Sequence, residues 1–165
     1  MLRPCVMKDA QQIYLVVNDA ARAYEGVIPP DCYHQPYMPW QELLAEMERI
    51  SFLGWEEGRE LVAVMGMERV EDVTLLRHAY VAPTWQRKGI GTELLRALLK
   101  KTETARLLVG TWADAWWALD FYRKHGFRLL ADKDDLLRRY WRIPDRQREA
   151  SVVLGLDVGR PQGLP

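Results

Sequence analysis

The apolar positions of the chain change their period several times along its length. Leu2 to Met7 predicts a short first strand. Asp9 is placed to cap a helix running to about Tyr24, with Ile13, Val16, Val17 and Ala20 on one face. The next segment, Gly26 to Pro39, holds four prolines and one glycine and cannot be regular helix; it carries Tyr33, His34, Tyr37 and Met38. A second amphipathic helix is predicted near Trp40 to Arg49, with Leu43, Leu44 and Met47 as its apolar side. The period then falls to two. Strands are predicted over Ser51–Trp55, Leu61–Met67 and Val73–Val81, with turns at Glu56–Arg59 and Glu71–Asp72. This is an antiparallel meander, and Pro83 ends it because proline cannot donate to a sheet ladder.

The second half alternates helix and strand. Ile90, Leu94, Leu95, Leu98 and Leu99 form the buried stripe of a helix from about Gly89 to Thr102. A strand over Arg106–Thr111 follows, so strand, helix and strand imply a parallel pair joined by a right-handed crossover. Asp114 is placed to cap another helix, which stops at Gly126 after Lys124 and His125. Phe127–Leu130 reads as a strand, Asp132–Tyr140 as a charged helical insert and Ala150–Asp157 as the last strand. The chain is expected to be one domain over residues 1–157, with 158–165 a frayed tail.

Composition narrows the function classes. The 165 residues are 48% hydrophobic and 28% charged, an ordinary globular balance. Lys+Arg and Asp+Glu are 23 each, and there is no basic stripe, which argues against nucleic acid as the main partner. No stretch reaches the roughly 20 apolar residues needed to cross a bilayer. Asp9, Gln11 and Gln12 interrupt any apolar run near the start, so no signal peptide is expected. These features predict a soluble, cytoplasmic protein without a membrane partner. Cys5 and Cys32 fit no zinc-ligand spacing; they read as reduced thiols, and no metal is expected.

The chemistry points to residues 80–92, Tyr-Val-Ala-Pro-Thr-Trp-Gln-Arg-Lys-Gly-Ile-Gly-Thr. A strand ends, a loop with two glycines follows, and an amphipathic helix begins. Such a helix start offers unpaired N–H groups and the positive end of a dipole. Glycine lets that backbone approach a ligand closely, and Arg87 and Lys88 add charge. The segment is built for a phosphate or pyrophosphate. It is not a Walker A loop, because Lys88 precedes the glycine instead of following it. It is not a dinucleotide fingerprint, because Leu94 stands where a third glycine is needed.

Gln86-Arg87-Lys88-Gly89-Ile90-Gly91, after Val81-Ala82-Pro83, resembles the cofactor motif of the GNAT superfamily of N-acetyltransferases. Ala118 to Phe127, about 30 residues on, resembles that family's second motif, and the order of elements is similar throughout. The resemblance implies an α/β (α+β) fold. Its sheet would be mixed and mostly antiparallel, with a parallel, splayed pair of central strands and helices on both faces. Acetyl-CoA would be the cosubstrate, its pyrophosphate held by main-chain N–H groups of Gln86, Arg87, Lys88, Gly89, Ile90 and Gly91. The strand through Ala79, Tyr80 and Val81 would pair with the pantetheine arm, and an N–H near Ala79 or Val81 would bond the thioester oxygen. Tyr122 would lie near the sulfur as general acid. Ala115 departs from the pattern, standing where the family commonly has an asparagine that contacts the cofactor.

The acceptor and its base stay open at this level. Glu68, His78, Glu25 or a water chain are the candidates for the base. Strand alternation puts His78 on the face of Leu76 and Tyr80, opposite Ala79 and Val81. Glu68 and Glu25 read as solvated turn or helix-end residues, Trp116 and Trp117 as packing residues, and His125 as a helix cap. The family resemblance implies a substrate slot lined by Tyr24–Trp40 and Tyr140–Arg148. Arg139, Arg142, Arg146 and Arg148 would then suit a substrate bearing a carboxylate or phosphate as well as an amine. Three readings remain: transfer to a small amine or amino-acid-like compound, transfer to a protein or peptide amine, or a regulatory domain that binds acyl-CoA without catalysis. A homodimer is allowed, with the exposed tail strand as one means of pairing.

Overall fold

The computed structural model describes residues 1–159, so the tail expected over 158–165 lies, from residue 160 on, outside the described residues. The strands are β1 (Leu2–Pro4), β2 (Ser51–Glu57), β3 (Glu60–Val70), β4 (Val73–Val81), β5 (Arg106–Trp112), β6 (Arg128–Leu129) and β7 (Ser151–Asp157). The helices are α1 (Ala10–Ala20), α2 (Trp40–Met47), α3 (Ile90–Lys101), α4 (Trp116–Lys124), α5 (Lys133–Tyr140) and α6 (Asp145–Glu149). Hydrogen-bonded neighbours follow the order β1-β2-β3-β4-β5-β7-β6. The sheet is mixed, with β4 and β5 parallel and helices on both sides, as the sequence implied.

The chain forms two compact units. The first comprises Met1–Ala23, His34–Glu68 and Leu76–Lys101. Its core joins Ile13, Val16 and Val17 of α1, Leu43 of α2, Met38, Ile50, and Phe52, Leu61 and Val64 of the meander. These are the periodic positions of the sequence, and burying each such side chain contributes about 1.5–3 kcal/mol. Two segments differ from expectation. β1 ends at Pro4, and the chain makes a 3-10 turn over Met7–Asp9 before α1. Asp9 also does not cap α1 with its side chain. Its carboxylate instead accepts hydrogen bonds from the Val6 N–H (2.7 Å) and the Arg3 guanidinium (2.9 and 3.0 Å). The tight turn brings residue 6 within reach of residue 9, and that bond forms in preference to a cap.

The second unit comprises Tyr24–Tyr33, Arg69–Leu75 and the described residues from Thr102 to Gly159. Its core gathers Val73 and Leu75 of β4, Leu108 of β5, Val153 of β7, and Leu136, Leu137 and Tyr140 of α5. β7 pairs antiparallel with β5 along its whole length and with β6 on its other side. The tail strand is therefore internal, and the exposed edge expected there belongs to the two-residue β6. Asp114 does not cap α4 with its side chain; the N-cap residue is Ala115. Residues 145–149, read as loop, form α6, with Pro144 at its N-cap. Lys133 fastens the end of that helix to β7. Its Nζ donates to the carbonyls of Arg148 (2.9 Å), Glu149 (3.2 Å) and Ser151 (2.8 Å).

Candidate functional site

The loop after β4 is shaped by its sequence. Pro83–Trp85 make a 3-10 turn, closed by the Trp85 N–H on the Ala82 carbonyl at 2.8 Å. Gln86 is tied back to the strand, its side-chain amide donating to the Val81 carbonyl at 3.0 Å. Arg87 then takes φ 62° and Gly89 takes φ 81°. Two left-handed residues spaced in this way turn successive N–H groups to one side, the concave arrangement that binds anions. A Cβ built on Gly89 meets nothing within 4 Å, so the backbone there faces open space. The first helical hydrogen bond of α3 runs from the Glu93 N–H to the Gly89 carbonyl at 3.1 Å. The amides of Ile90 and Gly91 lie ahead of that ladder, at the positive end of a 12-residue helix. Arg87 and Lys88 are exposed, and the Lys88 ammonium rests 5.5 Å from the Trp85 ring centroid. These residues fit a pyrophosphate by geometry as well as by charge.

Ala79, Tyr80 and Val81 form the last stretch of β4 and are half-buried. His78, just before them, has φ 53°. A non-glycine residue in the left-handed region inside a strand is the backbone signature of a bulge, which frees ladder groups and re-aims side chains. Strict alternation therefore does not carry across His78. The same residue anchors a polar cluster within the first unit. Its Nε2 lies 2.5 Å from Oε2 of Glu46, which is only 7% exposed. Arg77 reaches Glu46 Oε1 at 3.3 Å and Glu68 Oε2 at 3.2 Å, and Arg49 reaches Glu68 Oε1 at 2.8 Å. Burial alone would raise the Glu46 pKa, but the bond from His78 and the nearby cations hold it below the ordinary carboxylate range.

Of the two acidic base candidates, Glu68 changes character and Glu25 does not. Glu68 is not a solvated turn residue; it lies inside β3, held between two arginines. Glu25 is exposed beyond the 3-10 turn that follows α1. Glu46 was not singled out from the sequence, yet the signal existed. It sits three residues after Leu43, within the apolar stripe of α2, where an unpaired acid would be costly.

In the second unit, Tyr122 sits near the end of α4 and is buried at 5% exposure. Its ring packs against Phe121 (5.3 Å) and Phe127 (5.4 Å). Burial, reinforced by Tyr24, pushes its hydroxyl well above the usual tyrosine range. Tyr122 is thus a neutral O–H donor at pH 7. Ala115, the N-cap residue of that helix, is fully buried, and Ala118 on it is half-buried. Tyr24 stacks on Trp117 at 5.9 Å, and Trp116, edge-on to Trp117, is 62% exposed. Trp116 is therefore not the packing residue it was expected to be. His125 does act as a cap, its Nδ1 lying 2.8 Å from the Phe121 carbonyl.

The arginines are largely neutralised. Arg146 pairs with Asp31 at 2.7 Å, Arg148 with Asp145 at 2.7 Å, and Arg139 with Glu71 (3.5 Å) and Asp72 (3.6 Å). The free cationic loop read from the sequence is instead a helix with its charges met locally. Among the described residues, no group of three His, Cys, Asp or Glu side chains is gathered to hold a metal ion, and no helix is long and apolar enough to cross a membrane.

Residues 48–129 match the model of the acetyltransferase (GNAT) domain. The chain carries a GNAT acetyltransferase domain. Solved structures agree at the level of the fold. A PaiA N-acetyltransferase from Thermoplasma acidophilum, in complex with coenzyme A, superposes with a TM-score of 0.72 at 17% identity. It covers 95% of this chain and 98% of its own. The ribosomal-protein-S18-alanine N-acetyltransferase from Escherichia coli gives 0.69 at 20% identity, over 100% and 98%. A GNAT-family acetyltransferase from Staphylococcus aureus Mu50 gives 0.74 at 15% identity, over 96% and 99%. No curated protein matches the sequence significantly. The matched GNAT segment spans the loop at Gln86–Gly91, the strand at Ala79–Val81 and Tyr122.

Proposed function

We propose that this GNAT protein is a cytoplasmic N-acetyltransferase that moves the acetyl group of acetyl-CoA to the primary amine of a small, amino-acid-like molecule. The observation that carries the reading is the loop at residues 86–91, where left-handed Arg87 and Gly89 precede the start of α3 and open backbone faces free space. Acetyl-CoA supplies the activated acyl group as a thioester. The amides around Gly89, Ile90 and Gly91 serve as donors to its pyrophosphate, and Arg87 and Lys88 add attraction. The strand Ala79–Val81 serves as the edge for the pantetheine arm.

Amine attack builds negative charge on the thioester oxygen, and a fixed N–H beside the His78 irregularity can stabilise it. The leaving thiolate has a parent pKa of about 8.5, against about 10 for an ordinary tyrosine. Because burial raises the Tyr122 pKa further, full proton transfer from Tyr122 is uphill in the free protein. Its main contribution in this reading is a hydrogen bond to the sulfur, strengthening as charge develops there.

The test is CoA release from acetyl-CoA, followed by chromatography, against a panel of small amines, amino acids and peptides. Release with small amines supports the reading. Release only with peptides moves the assignment to a protein acetyltransferase. Tight acetyl-CoA binding without release on any amine favours a regulatory domain.

A further inference from the structure

The cluster around His78 does more than hold α2 on the meander. Three independent features converge on this residue. Its backbone sits in the left-handed region at φ 53°, immediately before the strand end assigned to the acyl arm. Its Nε2 faces Glu46 Oε2 at 2.5 Å, and neither atom has a hydrogen bond to any other group. Its ring stacks on Phe52 at 6.1 Å with an 18° tilt, yet keeps 14% of the side chain exposed. A purely structural histidine needs no left-handed backbone. Such conformations cost about 1–3 kcal/mol and concentrate at functional sites.

The neighbours fix the protonation chemistry. Arg77 bonds the other oxygen of Glu46, so this carboxylate stays ionised as an acceptor. The remaining charged groups of the cluster, Glu68 of β3 and Arg49 after α2, are paired with each other and with Arg77. An ionised Glu46 on Nε2 selects the tautomer with the proton on that nitrogen. Nδ1 is then the nitrogen with a lone pair. A carboxylate orienting an imidazole in this way is the arrangement that makes histidine an effective base.

We propose that His78, oriented by Glu46, is the proton acceptor for the attacking amine; the inference rests on the acetyltransferase reading above. The amine nitrogen bonds to the carbonyl carbon as the C–S bond breaks. The proton released from that nitrogen goes to His78 Nδ1, and CoA leaves as a thiolate that takes its proton from solvent while Tyr122 hydrogen-bonds the sulfur. His78 then returns its proton to solvent. In this scheme Glu46 is a positioning residue and Glu68 holds Arg77 in place.

The experiment combines two readouts on the full chain. Nitrogen-15 NMR of the three histidines, with His78 assigned by its loss in His78→Gln, should show the neutral His78 ring protonated at Nε2 and bare at Nδ1. A proton on Nδ1 instead would overturn the proposal. The pH dependence of kcat/KM is then measured with acetyl-CoA and the amine on which the wild-type protein releases CoA. His78→Gln should lower kcat/KM by about 100-fold or more and flatten the acid limb, with acetyl-CoA affinity within about threefold of wild type. Wild-type kcat/KM with an unchanged limb refutes the base assignment alone. If His78→Gln does not fold, Glu46→Gln decides. Losing the carboxylate releases the tautomer, so kcat/KM should fall and the nitrogen-15 spectrum should show the proton shared between the two ring nitrogens; wild-type kcat/KM with an unchanged tautomer refutes the proposal. No release by the wild-type protein on any amine would instead remove the acetyltransferase reading on which the inference stands.

Discussion

Gly89→Glu separates binding from folding at the cofactor loop. The native φ of 81° is disfavoured for any residue with a Cβ, at about 1–2 kcal/mol. No clash is added, because the new Cβ meets nothing within 4 Å. Glutamate near the start of α3 also gains about 0.3–1 kcal/mol from the helix dipole. The net loss of stability is therefore about 1 kcal/mol, or a Tm about 2–4 °C lower for a chain of this size. Binding suffers far more. A carboxylate about 5 Å from a phosphate charge is repelled by about 1 kcal/mol in water and about 3 kcal/mol near a protein surface. The backbone penalty is common to the free and bound protein and cancels, so the repulsion alone, about 2 kcal/mol between those limits, weakens CoA by about 30-fold. Titration calorimetry with CoA and a thermal melt measure the two effects separately, and Gly89→Ala isolates the backbone term. CoA affinity within threefold of wild type, with the melt intact, would refute the assignment of this loop.

Other perturbations test the remaining elements. Tyr122→Phe should lower kcat by about 10- to 100-fold while leaving the acetyl-CoA Kd within threefold; full turnover would remove Tyr122 from the reaction. Gly66→Ala should destabilise the first unit by about 1–3 kcal/mol, because its Cβ would sit 2.6 Å from Ile50 Cγ2 and 2.9 Å from the Arg77 carbonyl; an unchanged urea midpoint would contradict that packing. Asp9 is held below the ordinary carboxylate range, chiefly by its bonds from Arg3. A depressed folded-state pKa means its stabilisation is complete above the unfolded value near 3.9 and is lost as pH falls through the folded one. Asp9→Asn should therefore flatten the fall in Tm below about pH 4, and an identical acid slope in the variant would refute this.

Some of this molecule was legible in its residues. Val73–Val81, read as a strand, is β4 residue for residue, and α3 was placed within one residue at each end. Both segments carry long apolar patterns bounded at one end, β4 by Pro83 after it and α3 by Gly89 before it, so local sequence suffices to specify them. The loop at 86–91 was legible for the same reason. The function proposed for it depends on backbone N–H groups and on glycines, which are written in order along the chain. The caps expected from Asp9 and Asp114 failed because a short polar side chain has several local acceptors and donors within reach. Which one it meets depends on the turn that precedes the helix.

What only the tertiary structure decided involves partners distant in sequence. Glu46 meets His78 across 32 positions, and Arg146 meets Asp31 across 115. No periodicity encodes such pairs. The value of a charge in each depends on how far it is buried and on which opposite charge the fold delivers to it. Arg146, read as able to meet a substrate's carboxylate or phosphate, was neutralised in this way. Strand order was undetermined for a related reason. β7, last in sequence, lies between β5 and β6, because apolar β7 can bury both of its faces and both of its edges only inside the sheet. The left-handed backbone at His78 was equally invisible, since histidine carries no local signal for it and the surrounding contacts must hold it there.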